Sequence, residues 1–321
     1  MLKRNRLASA VVVSTVLLSS SVASGQSYPN RPIRLVTSAV GGSTDFAARL
    51  VATGLSASLG QQIIVDNRGG GVVGIEIAAK AAPDGYTLFY AGSLLWLLPL
   101  LQDHVPYDTL RDFVPVSLVV DSPNIVLVHP GVAAKSVKDL IALAKSRPGA
   151  LNYGSGGAGS SGHLAAELFK AMAGVELTRI PFKGTGPALA AIISGEIQIL
   201  MGSSGGTTPH IKSGRVRALA ITSARRSGLF PDLPTVGESG VPGYEYGQTS
   251  GLFAPAKTPA AIVSKLSQET GKVIKTPDLK EKFAAGGGDV EGGTPQEFLA
   301  KIKSEIARLG KVIKEARIRA E

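Results

Sequence analysis

Two rhythms of apolar and polar residues alternate along the chain. Short apolar runs bounded by glycine, proline or aspartate predict strands at 33–37, 62–66, 116–120, 125–129, 151–153, 178–182, 197–201 and 218–222. Between them, apolar residues recur at three- and four-residue spacing and predict helices. One opens at Thr44, a good N-cap, buries Phe46, Leu50 and Val51, and ends at Gly60. Others are predicted over 75–82, over 137–145 behind the N-cap Ser136, through Leu164, Leu168 and Met172, over 187–194, and briefly over 209–212. The stretch 247–255 returns the chain to its first half, and three helices close it at 260–275, 278–285 and 295–319. The last carries Ile302, Ile306, Leu309 and Ile313 on one face, over too few heptads for a coiled coil. Strands alternating with helices in this way imply parallel sheets, whose ligands bind beyond the carboxyl ends of the strands.

Glycine-rich turns stand at those carboxyl ends. The loop 154–162 joins a strand to a helix, and Gly184 and Gly186 form a second such turn. Each points unpaired backbone N–H groups and the positive end of a helix dipole at whatever sits above it, an anion site that needs no charged side chain. Two enzyme patterns fall in the same region. Gly154, Gly156 and Gly159 fit G-x-G-x-x-G with Glu176 downstream, but the strand before them is interrupted by Asn152 and preceded by Pro148-Gly149. Gly202, Ser204 and Gly206 fit the G-x-S-x-G of a hydrolase nucleophile elbow. That fold needs an acid and then a histidine after the serine; His210 follows, with no acid between, so a secreted serine hydrolase using Ser204 is the weaker reading. The run 92–99 is apolar and holds the only tryptophan, Trp96, which either packs into the core or forms an apolar wall of a pocket.

Composition narrows the class. Hydrophobic residues at 44% and charged residues at 18% mark a globular chain, and 321 residues suffice for two domains. The formal charge is +10, or +7 once Lys3, Arg4 and Arg6 are set aside with a leader. The excess is scattered and aromatics are 5%, which argues against nucleic-acid binding. With no cysteine there are no disulfides and no thiolate metal sites. His104, His129, His163 and His210 show no metal-ligand spacing, so neither metal nor cofactor is expected. Residues 1–25 read as a secretory signal peptide: a basic start, an apolar stretch over 7–22, and small-x-small cleavage sites at 21–25. No later run approaches a membrane span.

The stretches YGSGGAGSSGHLAAELFKAMAGV (153–175), PFKGTGPALAAIISGEIQ (181–198), PHIKSGRVRALAITSARRS (209–227) and PDLPTVGESGVPGYE (231–245) resemble the substrate-binding proteins of tripartite tricarboxylate transporters, the Bug family. The turn 82–88 is also similar to the family, whereas the loops 39–45 and 67–74 lack its prolines. The resemblance implies an α/β fold of the periplasmic-binding-protein type II, with two mainly parallel lobes joined by hinge strands. It places 26–119 with 250–321 in lobe 1 and 120–249 in lobe 2. It implies a periplasmic monomer that binds without chemistry and passes a small organic carboxylate to membrane transporter subunits.

The expected ligand site follows from the resemblance and the turns together. Lobe 1 would supply Ser38, Ala39, Val40, Gly41, Gly42, Ser43, Thr44 and Asp45, with Gly92, Ser93, Leu94 and Trp96. Lobe 2 would supply Ser155, Gly156, Gly157, Ala158, Gly159, Ser160, Ser161 and His163, then Phe182, Lys183 and Gly184, then Met201, Gly202 and Ser203. His163 either positions its loop or touches ligand. Lys183 is the candidate charged contact. With no acid between Met201 and Gly206 to hold an amino group, an aromatic or aliphatic carboxylate is expected over an amino acid.

Overall fold

The computed structural model describes residues 28–38, 40, 43–68, 72–156, 159–182 and 184–319. The leader over 1–25 lies outside them, as do Ala39, Gly41, Gly42, Gly157, Ala158 and Lys183. The first half of the chain runs β1 (Ile33–Thr37), α1 (Ser43–Leu59), β2 (Ile63–Asn67), α2 (Val73–Ala79), β3 (Thr87–Gly92), α3 (Leu94–Leu101), α4 (Thr109–Asp112) and β4 (Phe113–Val128). Then follow α5 (Val137–Ser146), β5 (Asn152–Ser155), α6 (Ser161–Ala173), β6 (Thr178–Pro181), α7 (Thr185–Ser194), β7 (Ile199–Ser203), α8 (Ser204–Lys212) and β8 (Arg217–Ile221). The chain closes with β9 (Gly247–Pro255), α9 (Ala260–Val273), α10 (Pro277–Ala285), β10 (Val290–Gly293) and α11 (Pro295–Glu315).

The main strands run β2-β1-β3-β9-β4-β7-β5-β6, with β8 and β10 also pairing with β4. Pairing is parallel at each end, among β1, β2 and β3 and among β5, β6 and β7, where a helix crosses between consecutive strands. It is antiparallel wherever β4 or β9 takes part. The parallel character expected from the sequence therefore holds within each end and gives way at the centre.

β4 joins the two halves. Its first part pairs with β9 from Phe113↔Pro255 to Pro123↔Gly247, and its last residues pair with β7 from Asn124↔Ser203 to Val128↔Ile199. The sequence suggested two strands broken at Asp121-Ser122-Pro123-Asn124. These turn-formers instead lie within one strand, because Thr249 and Gln248 of β9 pair opposite Asp121 and Ser122; tertiary pairing overrides local preference. Likewise α8 begins at Ser204, five residues before the expected start, with Gly205 and Gly206 in its first turn.

Each half has its own apolar packing. Ile33, Leu35, Val51, Leu55, Leu88, Tyr90, Leu252 and Leu266 are buried together at one end, and Ile125, Leu127, Ile192, Ile197, Leu200 and Ile221 at the other. A third cluster spans both, from Trp96, Phe253 and Phe298 to Tyr153, Phe169 and Met201. α11 runs along it with Phe298, Ile302, Leu309 and Ile313 buried, as its apolar stripe predicts. Thr294 and Glu297 close a capping box at its start. Two expected core positions are not buried: Phe46 is 42% exposed and Met172 40%. No helix among the described residues is long and apolar enough to cross a membrane.

Candidate functional site

Between the two halves lies a cleft of about 470 Å³. Helix beginnings surround it. Ser43 and Thr44 open α1, Ser93 precedes α3, Ser161 opens α6, Thr185 opens α7, and Ser204, Gly205 and Gly206 open α8; all line the cleft. Between them they bring N-termini from both halves, each with backbone N–H groups that have no partner within the helix. The floor is the hinge itself: Val120 and Ser122 of β4, and Gln248, Thr249 and Ser250 of β9. Phe46, Ala47 and Phe283 supply an apolar wall, and the turn Gly286-Gly287-Gly288 completes the rim. No Asp, Glu, Lys, Arg or His is among the described residues that line the cleft. What this lining offers an anion is oriented backbone dipoles and hydroxyl donors.

Six of the residues expected at the site line this cleft: Ser43, Thr44, Gly92, Ser93, Ser161 and Ser203. Ser38 and Leu94 line a small side pocket of about 80 Å³ that shares Thr44 and Gly92 with the cleft, and Val40 stands out in solvent. Asp45 is buried, ion-paired with Arg49 at 3.0 Å and accepting from Asn67 Nδ2 at 2.7 Å, so its carboxylate holds α1 in place. Trp96 is 1% exposed. Its ring packs on Phe253 and Phe298 and its Nε1 donates to Glu305, so it is core and forms no wall of the cleft. Met201 and Gly202 are buried within β7. Phe182 packs half-buried against the apolar cluster around Ile197, and neither it nor the neighbouring Gly184 lines the cleft.

The glycine-serine loop is held from beneath. Ser155 is buried; its Oγ accepts from Arg179 Nε at 2.8 Å, and the Gly156 carbonyl accepts from Arg179 Nη2 at 3.1 Å. Gly159 takes φ +76°, a backbone state that favours glycine, and its N–H donates to His163 Nδ1 at 3.1 Å. Burial and the nearby Arg179 push the His163 pKa down to about 4, so the ring stays neutral and keeps accepting. Of its two sequence readings, the loop-positioning one matches this geometry. Ser160 precedes α6, but its Oγ makes no cap bond. Arg179, Gln248, Thr249, Thr185 and the 286–288 turn were not expected from the sequence. Thr185 alone carried a signal, as the residue between the two glycines of the second turn.

The enzyme patterns fare differently in space. The loop after β5 does lead into α6, but Glu176 lies before β6 and not at its carboxyl end, where a ribose-binding acid belongs. Ser204 is 1% exposed and its Oγ donates to the Gly287 carbonyl, which leaves no proton-accepting histidine at the hydroxyl. No group of His, Cys, Asp or Glu among the described residues is arranged to hold a metal ion.

A family model for the tripartite tricarboxylate transporter family receptor matches residues 47–318. The chain belongs to that family. Protein BugT of Bordetella pertussis is 36% identical, with 95% of each chain covered. Among solved structures, R. palustris Rpa4515 with adipate is 36% identical at a TM-score of 0.77, covering 91% of this chain and 99% of its own. MatC (Rpa3494) from Rhodopseudomonas palustris with bound malate is 30% identical at a TM-score of 0.70, covering 89% of this chain and 100% of its own. The receptor family and these neighbours give the fold its place: a two-lobed periplasmic-binding-protein type II architecture, hinged on β4 and β9.

Proposed function

We propose that this receptor closes its two lobes on a small organic carboxylate in the periplasm and delivers it, as a monomer, to the membrane subunits of a tripartite transporter. The observation that carries the reading is the cleft whose described lining has no charged side chain, ringed by helix N-termini from both halves. A carboxylate there gains from each dipole roughly 0.3–2 kcal/mol and from each charge-assisted hydrogen bond roughly 1.5–3. Binding from both sides rewards closure, since the bonds from one lobe reach the ligand only when the other has brought it near. We assign 26–119 with 250–321 to the first lobe and 120–249 to the second, the two boundaries falling within the β4–β9 pairing. The leader at 1–25 would export the chain. The work asked of such a cleft is capture without turnover.

The contacts we assign are Ser43, Thr44, Gly92 and Ser93 from the first lobe and Ser161, Thr185 and Ser203 from the second, with the 39–42 and 157–158 loops beside them. The absence of an acid from the described lining favours ligands without an ammonium group. The adipate and malate held by the two relatives make dicarboxylates the first to try. Titration calorimetry with adipate, malate, benzoate and a neutral amino acid tests the assignment, with small-angle scattering on the saturated protein. A carboxylate should bind and compact the molecule. Preference for the amino acid, or an unchanged shape at saturation, would overturn it.

A further inference from the structure

Among the described residues that line the cleft, Phe46 is the one large apolar side chain the fold leaves uncovered. Ala47, Val120 and Phe283 also reach the cleft but are buried, whereas Phe46 is 42% exposed and joins none of the three apolar clusters. The rest of that lining is glycine, serine, threonine and one glutamine. The cleft therefore offers a ligand one aromatic surface, with hydrogen-bonding groups on its other sides.

The ring is held by elements of one half alone. Phe46 stands in the first turn of α1, three residues after Ser43 and so about 4.5 Å further along the helix axis. One edge of the ring lies against the turn between α10 and β10. A Cβ at Gly286 would come 2.4 Å from Phe46 Cε1, 3.0 Å from Cζ and 3.1 Å from Cδ1, so the ring fills the space a side chain would need there. The turn backs that edge, and the part of the ring left uncovered borders the cleft. A carboxylate held at the start of α1 then has its next carbons beside the ring.

We propose that Phe46 is a specificity-determining residue: it makes the site take carboxylates whose carbon skeleton is unsubstituted, aliphatic or aromatic, and disfavour those with hydroxyl groups along it. This rests on the carboxylate-receptor reading, and it adds which carboxylates the receptor takes. Bare carbons cover the ring, and water leaves both surfaces. A hydroxylated carbon in the same place gives up its water and finds no hydrogen-bond partner on the ring. Because the ring is in place before the ligand arrives, the selection needs no rearrangement of the wall.

The test compares adipate with galactarate, which has the same length and charge but a hydroxyl on each of its four inner carbons, so that no rotation hides them all. Calorimetric titration of the wild type should favour adipate roughly ten- to a hundred-fold. Phe46→Ala should weaken adipate roughly three- to tenfold, the burial of less than half a phenylalanine side chain, with galactarate changed less than about twofold. Phe46→Leu, which keeps an apolar surface, should restore most of the adipate affinity, and Phe46→Asn should not. The heat-capacity change of adipate binding should be more negative in the wild type than in Phe46→Ala, a difference that a ring serving only to support the turn would not produce. Since Phe46 is exposed and alanine favours the helix, the ligand-free unfolding midpoint of Phe46→Ala should stay close to that of the wild type. Equal affinity of the wild type for the two acids, or equal losses for both in Phe46→Ala, would overturn the proposal and leave the receptor reading standing. Failure of both acids, and of malate and benzoate, to bind would overturn the two together.

Discussion

Thr249 Oγ1 stands 2.6 Å from Glu305 Oε1 and 3.2 Å from Asp121 Oδ1, and it has one proton to give. Asp121 is bound by Lys301 Nζ at 2.7 Å, and Thr249 donates by the shorter bond to Glu305. Glu305, 4% exposed, accepts from Thr249 Oγ1 at one oxygen and from Trp96 Nε1 at the other, at 2.8 Å. Burial, reinforced by the charge of Asp121, pushes its pKa up to about 7; the bonds from Thr249 and Trp96 and the charge of Lys301 pull the other way. Thr249 lines the cleft, so this acid lies directly beneath the ligand floor.

The sign of the pH dependence follows. Between the ordinary 4.5 and about 7, folded protein retains a proton that unfolded chain has lost, so Glu305 makes stability fall as pH rises through that window. The full effect is about 3 kcal/mol. Glu305→Gln removes the titration, and its amide oxygen can still accept from Trp96 Nε1. Urea unfolding should show the variant gaining on the wild type as pH rises from about 4.5 to 7. Parallel profiles for the two proteins would show that Glu305 does not titrate there.

His163 acts in the opposite direction. With its pKa pushed below the ordinary 6.5 to about 4, folded protein binds fewer protons than unfolded chain in that interval. Its contribution is complete above pH 6.5 and lost as pH falls toward 4. His163→Asn places an amide oxygen near the Nδ1 position and can still accept from Gly159. The wild type should be nearly flat where the two windows overlap. Glu305→Gln should then leave stability rising with pH, and His163→Asn should leave it falling. A flat profile in both variants would refute the pairing.

Trp96 allows the core reading to be tested against a pocket wall. Trp96→Phe removes the donor to a buried carboxyl oxygen, which costs roughly 1–3 kcal/mol, with a further loss from the smaller ring. The unfolding midpoint should drop while the order of preference among carboxylates stays the same. A changed order at unchanged stability would put the indole back in the site.

What was legible in the sequence divides along physical lines. The βαβ units at each end were readable because their apolar periods are local, and so was the gathering of helix N-termini at the carboxyl ends of the strands. The course of β4 was hidden: Asp121 to Asn124 have turn composition, and only their pairing with β9 and β7 makes them strand. Phe46 looked like core because its spacing from Leu50 and Val51 is helical, yet it lies on the flank of α1 that faces the cleft. Trp96 was ambiguous because a buried indole and a pocket wall share one apolar signature, and its partner Glu305 is 209 residues away. Gln248, Thr249 and the 286–288 turn reach the site through long-range pairing that no local pattern encodes.

That turn carries the last prediction. The first residues of α8 meet it at van der Waals distance: a Cβ at Gly205 would lie 2.5 Å from the Gly286 carbonyl oxygen, and one at Gly287, where φ is +76°, would lie 2.2 Å from Gly205 N. Ser204 Oγ donates to the Gly287 carbonyl across the same seam. α8 follows β7 in one half of the sheet, whereas the turn joins α10 to β10 in the other, so the contact exists only when the halves are together. Gly205→Ala therefore strains the contact between the halves and leaves each half's own packing alone. Overpacking of this kind costs roughly 1–3 kcal/mol, a loss of roughly five- to a hundred-fold in carboxylate affinity. Scattering at a ligand concentration that compacts the wild type should find the variant expanded, with its ligand-free unfolding midpoint unchanged. Wild-type affinity in Gly205→Ala would mean that the seam is not part of the closed, ligand-bound state.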